Sequence, residues 1–185
     1  MIKRSSKKYI DNQLDQNPSW NILDIGCGYT AHKKANVICD VQDLSEFYKG
    51  RDFIKLKGKT LPFKDKEFDF VITSHVIEHV EDVNFFLMSC SKLLKKNGIM
   101  FIATLNKTLK SYIFAIIGAE YILRWLPIGT HDWNKFVKPE NLEDICNKNS
   151  LKLKSIDGVK FNPILNKWKL SNDKSVNYIT KYKKS

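Results

Sequence analysis

Three side chains able to bind a metal or move a proton, His75, Glu78 and His79, lie within SHVIEH at spacings of three and four residues. If that stretch opens a helix, all three share one face. A mixed His/Glu/His face suits zinc or another transition ion better than magnesium. The same groups could instead serve as general acid or base. A capped helix start with locally packed histidines has the same pattern. His131 stands beside Asp132, a pairing in which a carboxylate can orient an imidazole as a base. Adjacent side chains often point apart, so a turn that only fixes its loop reads the same way.

A second group of residues has the character of a binding site. NILDIGCGYT, Asn21 to Thr30, runs from an apolar strand into a turn holding Gly26 and Gly28. Glycine permits a sharp bend, and its missing Cβ lets a ligand lie against the backbone. In an open α/β sheet the ligand sits beyond the C-terminal ends of the strands, where this turn falls. The next apolar run ends in Asp40, placed to accept hydrogen bonds from a ribose diol. A dinucleotide turn would read Gly-x-Gly-x-x-Gly, but the last of those positions is Ala31. An acid, Asp24, precedes Gly26 by two residues.

These groups need rigid elements beneath them. Short apolar runs predict strands at Asn21–Ile25, Val37–Cys39, Phe53–Leu56, Asp69–Thr73 and Ile99–Ala103, rich in the β-branched and aromatic residues of a buried sheet. Val83 to Lys96 reads as an amphipathic helix closed by Asn97-Gly98. Pro139-Glu140 opens a second helix running to about Lys148. Late strands are expected at Leu151–Ile156, Val159–Phe161 and Val176–Lys181, with a hairpin at the end of the sheet. Alternating strands and helices predict a parallel α/β sheet.

Composition narrows the setting. A chain of 185 residues with 43% apolar content can bury a real core, and it suits one domain. No apolar run is long enough to span a bilayer, and MIKRSSKKYIDNQ lacks the apolar stretch of a secretory signal. Cys27, Cys39, Cys90 and Cys146 show no paired spacing, which points away from zinc or disulfides and towards a reducing cytoplasm. The net charge of +11 suits solubility, an anionic membrane surface or nucleic acid. No common nucleic-acid module is present, so nucleic acid ranks last.

Three stretches in order carry a resemblance. Asp24-x-Gly26-x-Gly28, then LPFKDKEFDFVITSHVIEHVED (Leu61 to Asp82), then LLKKNGIMFIATLN (Leu93 to Asn106) resemble successive regions of the class I S-adenosylmethionine-dependent methyltransferases. The resemblance implies a Rossmann-like α/β fold, mostly parallel with a late antiparallel strand, in a single domain over residues 1–185. It implies a cofactor site of Asp24, Gly26, Cys27, Gly28, Asp40, Leu61 and Ser74, with Asp24 near the amino end of the methionine moiety. Two departures stand out. The helix after the glycine turn must be very short, and Gly58-Lys59-Thr60 lies where some members place an adenine-facing acid.

The second half resembles the ubiquinone-pathway O-methyltransferases. The shared features are Thr104-Leu105-Asn106, Gly118-Ala119-Glu120-Tyr121, Gly129-Thr130-His131-Asp132, Lys138-Pro139, Asn162-Pro163 and Val176-Asn177-Tyr178. The resemblance implies methyl transfer to a polyprenylated catechol-type phenol. A phenol titrates near ~10, so at neutral pH a base or a metal must supply phenolate. Glu78, His79 and His131 are the implied catalytic groups, with His75, Glu78 and His79 the implied holders of a divalent ion. The family's motif there is Glu-x-x-Glu-His, so His75 replaces a glutamate. The family's paired tryptophans and Asn-Pro-x-Arg stretch have no counterpart here. A methyltransferase acting on a sugar or other small molecule is an alternative, as is a non-catalytic member that binds membrane or a partner. Residues 107–135 are expected to form a lid, with the apolar Tyr112–Trp125 stretch and its basic surround touching an anionic membrane. A core helix would show the same composition. The expected location is cytoplasmic, peripheral to the inner membrane face.

Overall fold

The computed structural model describes residues 9–11, 14, 19–122, 124, 127, 129–130, 132–162 and 167–185. Strands β1 (Ile22–Ile25), β2 (Val37–Asp40), β3 (Asp52–Lys55), β4 (Phe68–Ser74) and β5 (Leu94–Leu105) lie parallel in the order β3-β2-β1-β4-β5. Three antiparallel strands extend the sheet past β5: β8 (Asn177–Lys184), then β6 (Leu151–Asn162), then β7 (Lys167–Ser171). The expected late antiparallel strand is thus three. The runs read as Leu151–Ile156 and Val159–Phe161 form one strand, and β7 carried no signal of its own.

Period-two alternation sends each strand's side chains to opposite faces. Leu23, Ile25, Val71, Met100, Ile102 and Tyr178 face one core, which two helices cover. The first, α1 (Val83–Leu93), presents Leu87, Cys90 and Leu93, the three-and-four spacing of a buried helical stripe. The second, α2 (Pro139–Lys148), buries Leu142 and Cys146. Truncating a side chain as enclosed as Leu142 costs about 2–5 kcal/mol. Ile22, Ile38, Phe70, Ile72, Phe101 and Ile179 face the second core. There Ile10 and Leu14, with Leu44 and Tyr48, close the face.

α1 starts where Asp82 accepts the Phe85 N–H at 2.9 Å, an N-cap. It stops at Leu93 instead of Lys96, because Leu94 already pairs with Phe68 of β4. The Lys95 ammonium reaches Asp69 at 2.8 Å, and Asn97 takes a positive φ of 65°. The expected helix therefore ends in a strand-forming turn, because pairing with the sheet outcompetes the local helical pattern.

Between β5 and α2 the chain makes one α-turn, Leu109–Ser111, then a π-helix, Tyr112–Ile122, and a 3₁₀ turn, Trp133–Lys135. No helix among the described residues is long and apolar enough to cross a membrane.

Candidate active site

Sheet order reverses between β1 and β4, and the chemistry gathers at the C-terminal ends of those strands, as expected at a topological switch point. β1 ends at Ile25, and Gly26 and Gly28 follow at φ +65° and +48°. The Gly26 and Cys27 N–H groups both donate to Cys39 O, at 2.9 and 3.1 Å. The Gly28 N–H donates to Asp40 Oδ2 at 2.8 Å. The glycine turn is therefore fastened to the end of β2. Asp40 Oδ1 accepts the Gln42 N–H at 2.9 Å. Each Asp40 oxygen holds one backbone donor here, and a carboxylate oxygen has a second lone pair for a ribose hydroxyl.

Asp24 lies deep beneath the turn, where its Oδ2 accepts the His32 N–H at 2.7 Å. Its first structural effect is to shape the loop after the turn. Cys27 and Ser74 are also buried, and Leu61 is half-buried against the first core. Lys59 reaches Glu81 Oε2 at 2.5 Å, joining the loop after β3 to the loop after β4.

The side of Gly26 that a Cβ would occupy is filled by the chain itself. A Cβ there would fall 2.4 Å from Val76 Cγ2. Gly26 is demanded by its left-handed φ and by the packing of Val76, so the expectation that its missing Cβ admits the cofactor is corrected. That packing brings the loop after β4 against the turn.

SHVIEH does not start a helix. His75 donates its N–H to Ala103 O at 2.8 Å and takes φ +57°, and residues 77–79 form a turn. His75 Nδ1 is hydrogen-bonded to Glu78 Oε1 at 2.9 Å, and Thr104 Oγ1 of β5 donates to Glu78 Oε2 at 2.8 Å. Glu78 is buried while His75 remains half-exposed. Burial works against the charged carboxylate. The His75 hydrogen bond and charge, with the Glu78 N–H and the Thr104 hydroxyl, more than offset it and hold the Glu78 pKa below the usual glutamate value. A non-glycine residue at positive φ costs of order 1–3 kcal/mol and persists where its surroundings over-determine it. Here the Ala103 and Glu78 bonds do so.

The described residues do not bring His75, Glu78 and His79 together as the expected metal site. His79 donates its N–H to Val76 O at 2.9 Å and is exposed, whereas Glu78 is buried. Among the described residues no group of three His, Cys, Asp or Glu side chains could hold an ion. A helix would have put His75, Glu78 and His79 on one face. With the left-handed turn at His75, His75 instead pairs with Glu78 while His79 is exposed.

His131 lies outside the described residues. Its neighbour Asp132 accepts the Asn134 N–H at 2.9 Å and caps the 3₁₀ turn. The base of the 107–135 stretch is tied by Trp133 Nε1, which donates to Thr108 O at 3.1 Å. Farther out, buried Glu120 accepts the Gly129 N–H at 2.7 Å. The π-helix exposes Ile113, Phe114, Ile117, Tyr121 and Ile122.

Cys39 and Cys90 are pushed well up by burial, and Cys146 up to about 12. None of the three carries a thiolate suited to nucleophilic chemistry.

Thr104 and Val76 act in the site without motif chemistry of their own. Val76 follows from no pattern. Thr104, a hydroxyl beside the buried end of β5, was visible only as part of Thr104-Leu105-Asn106.

A methyltransferase-domain family model matches residues 23–102. A ubiquinone biosynthesis O-methyltransferase of Pelagibacter ubique is 52% identical over 100% of this chain and 84% of its own length. A second protein of that name, from Bartonella tribocorum, is 41% identical over 89% of this chain and 73% of its own. The chain belongs to the ubiquinone biosynthesis O-methyltransferase family. It is an S-adenosylmethionine-dependent methyltransferase. The fold of this methyltransferase matches a solved S-adenosylmethionine-dependent methyltransferase from Thermotoga maritima at TM-score 0.71. That match has 17% identity and covers 98% of this chain and 88% of the other. A solved S-adenosylmethionine-dependent methyltransferase from Archaeoglobus fulgidus matches in fold at TM-score 0.66, with 21% identity, covering 96% of this chain and 94% of the other.

Proposed function

We propose that this methyltransferase methylates a hydroxyl of a polyprenylated catechol-type intermediate of ubiquinone biosynthesis, with S-adenosylmethionine as donor. The observation that carries this reading is the 52% identity over the whole chain to a protein named ubiquinone biosynthesis O-methyltransferase. The packing of Val76 against Gly26 supports a role for the neighbouring His75–Glu78 pair.

Asp40 accepts from the ribose diol, and Gly26, Cys27 and Gly28 form the floor beneath the methionine moiety. Asp24, Leu61 and Ser74 complete the surround. When bound, the cofactor supplies an activated methyl group on a sulfonium. The chain's own task is then alignment and removal of one proton from the acceptor hydroxyl. His75 performs that removal. Glu78 Oε1 accepts the hydrogen bond of the Nδ1–H and so fixes the tautomer, which leaves Nε2 as the proton acceptor. Thr104 holds Glu78 in place from the other side. Where relatives place a glutamate, histidine allows the proton to be taken directly, so no step here is routed through a metal.

The apolar face of the π-helix forms a lid that meets the membrane in which a polyprenyl acceptor is dissolved. Phe114, Ile117 and Ile122 enter the interface, and basic residues nearby add about 1 kcal/mol each against anionic lipid. The protein then works on the cytoplasmic side as a peripheral enzyme.

The test is complementation of a host lacking its ubiquinone O-methyltransferase, with quinone intermediates followed by mass spectrometry. Restored methylation supports the assignment. A folded protein that binds S-adenosylmethionine but leaves the intermediates unmethylated overturns the acceptor.

A further inference from the structure

Open α/β sheets of this kind carry a helix after the glycine turn, and its internal hydrogen bonds make the turn rigid. Here β1 and β2 are joined by only a 3₁₀ turn, Gly28–Thr30, and residues 31–36. The backbone of that stretch closes short turns, Thr30 N–H to Cys27 O and Ala35 N–H to His32 O, both at 3.2 Å, where a full helix would bond each successive group. Buried backbone groups must be satisfied. Two side chains from the connection between β2 and β3 bind four backbone groups of the stretch. Tyr48 Oη donates to Gly28 O at 2.6 Å and accepts the Ala31 N–H at 2.9 Å. Arg51 Nη2 donates to His32 O at 2.9 Å and to Ala35 O at 2.8 Å. The pair is itself fixed. The Tyr48 ring stacks on Phe53 with centroids 5.9 Å apart, and the Arg51 guanidinium lies 5.8 Å from the Tyr48 centroid.

We infer that Tyr48 and Arg51 are positioning residues for S-adenosylmethionine, standing in for the missing helix. This rests on the reading of residues 26–28 as the cofactor turn. Tyr48 bridges both ends of the 3₁₀ turn, so it sets the direction in which Gly28 leaves the site. Arg51 holds the carbonyl of His32, whose own N–H is held by Asp24. The loop is thereby ordered before the ligand arrives, and a loop ordered in advance binds more tightly because less freedom is lost on binding. The two residues touch no reacting atom. Their effect is confined to cofactor affinity.

The test uses Tyr48→Phe, Arg51→Lys and Arg51→Ala in the full chain. S-adenosylmethionine affinity is measured by calorimetry, KM for cofactor and acceptor by turnover, and Tm by thermal melting. Tyr48→Phe keeps the packed ring and removes both hydroxyl bonds. It should weaken cofactor binding about tenfold and raise the cofactor KM equally, with the acceptor KM unchanged. Arg51→Ala should weaken cofactor binding as well. Arg51→Lys should recover part of that loss through the single carbonyl its point charge can reach. The inference is overturned if Tyr48→Phe and Arg51→Ala lower Tm yet bind cofactor like wild type, which marks a purely structural role. Should Tyr48→Phe fail to fold, the ordering Arg51, Lys, Ala in cofactor affinity decides alone. If wild-type protein itself binds no S-adenosylmethionine, the reading of the turn fails first and this inference falls with it.

Discussion

Gly26 and Val76 occupy one space: the Cβ that Gly26 lacks would stand 2.4 Å from Val76 Cγ2. The first belongs to the turn after β1 and the second to the loop after β4. Each loop is therefore shaped by the other. On the proposed function, the donor side of the site and the proton-accepting side are set in one piece of packing.

Gly26→Ala should impair cofactor binding and turnover together, since it adds a Cβ at positive φ, roughly 1–2 kcal/mol of strain, and also pushes Val76 and the His75 loop outward. Adding Val76→Ala to Gly26→Ala removes the colliding methyl and should restore part of the loss. A double-mutant cycle on cofactor affinity and kcat checks this. Additive losses would show that φ alone matters.

His75→Asn should lower kcat by about 10²–10⁴ and leave S-adenosylmethionine affinity unchanged, as measured by calorimetry. The deficit should narrow as pH rises toward the phenol's own pKa, about 10, because solvent then supplies the phenolate. A kcat deficit constant with pH would assign His75 a structural role. The same preparations treated with a chelator should keep full activity.

Glu78 should leave a mark on acid stability. Its folded pKa is held below the ordinary glutamate value, chiefly by His75 against the opposing effect of burial. A depressed carboxylate stabilises the fold above its unfolded pKa, and that contribution is lost as pH falls through the folded value. Glu78→Gln should be less stable at neutral pH by about 1.5–3 kcal/mol. The gap to wild type should close on acidification below about pH 4. Denaturant melts of both proteins across this range give the comparison.

The π-helix supplies the membrane test. Ile116 packs partly on Leu105 and Phe136, whereas Phe114 and Ile117 are exposed. Phe114→Asp with Ile117→Asp should reduce binding to anionic liposomes and slow turnover of a long-chain acceptor, with cofactor affinity and Tm preserved. Binding by wild type should weaken as salt rises. Full liposome binding by the double variant would place the contact elsewhere.

Much of the fold was legible because it depends on local pattern. The five parallel strands fall within a few residues of the apolar runs that announced them. Asp82 and Pro139 mark their helix starts by chemistry that acts over one turn. The errors came where a distant partner overrode local preference. Leu94 left the helix to pair with Phe68. β6 absorbed Asp157 and Gly158 because Ile179 and Tyr178 of β8 lie opposite them. A Cβ at Gly158 would fall 1.9 Å from Asp173 O, so that glycine belongs to a close approach within the sheet and not to a break in it.

The sequence by itself determined the family, the glycine turn and the carboxylates on β1 and β2, because these follow from residue type at fixed short spacing. The tertiary structure alone decided which of SHVIEH work together. Helical spacing joined His75, Glu78 and His79, but the Ala103 carbonyl of β5 holds His75 in a left-handed turn and its ring pairs with Glu78, which the Thr104 hydroxyl of β5 holds in turn. It likewise decided that Tyr48 and Arg51 serve the glycine turn. Those contacts to β5 and to the glycine turn link residues 16 to 28 positions apart, across strands whose register is set by the whole sheet. A local pattern carries no record of them.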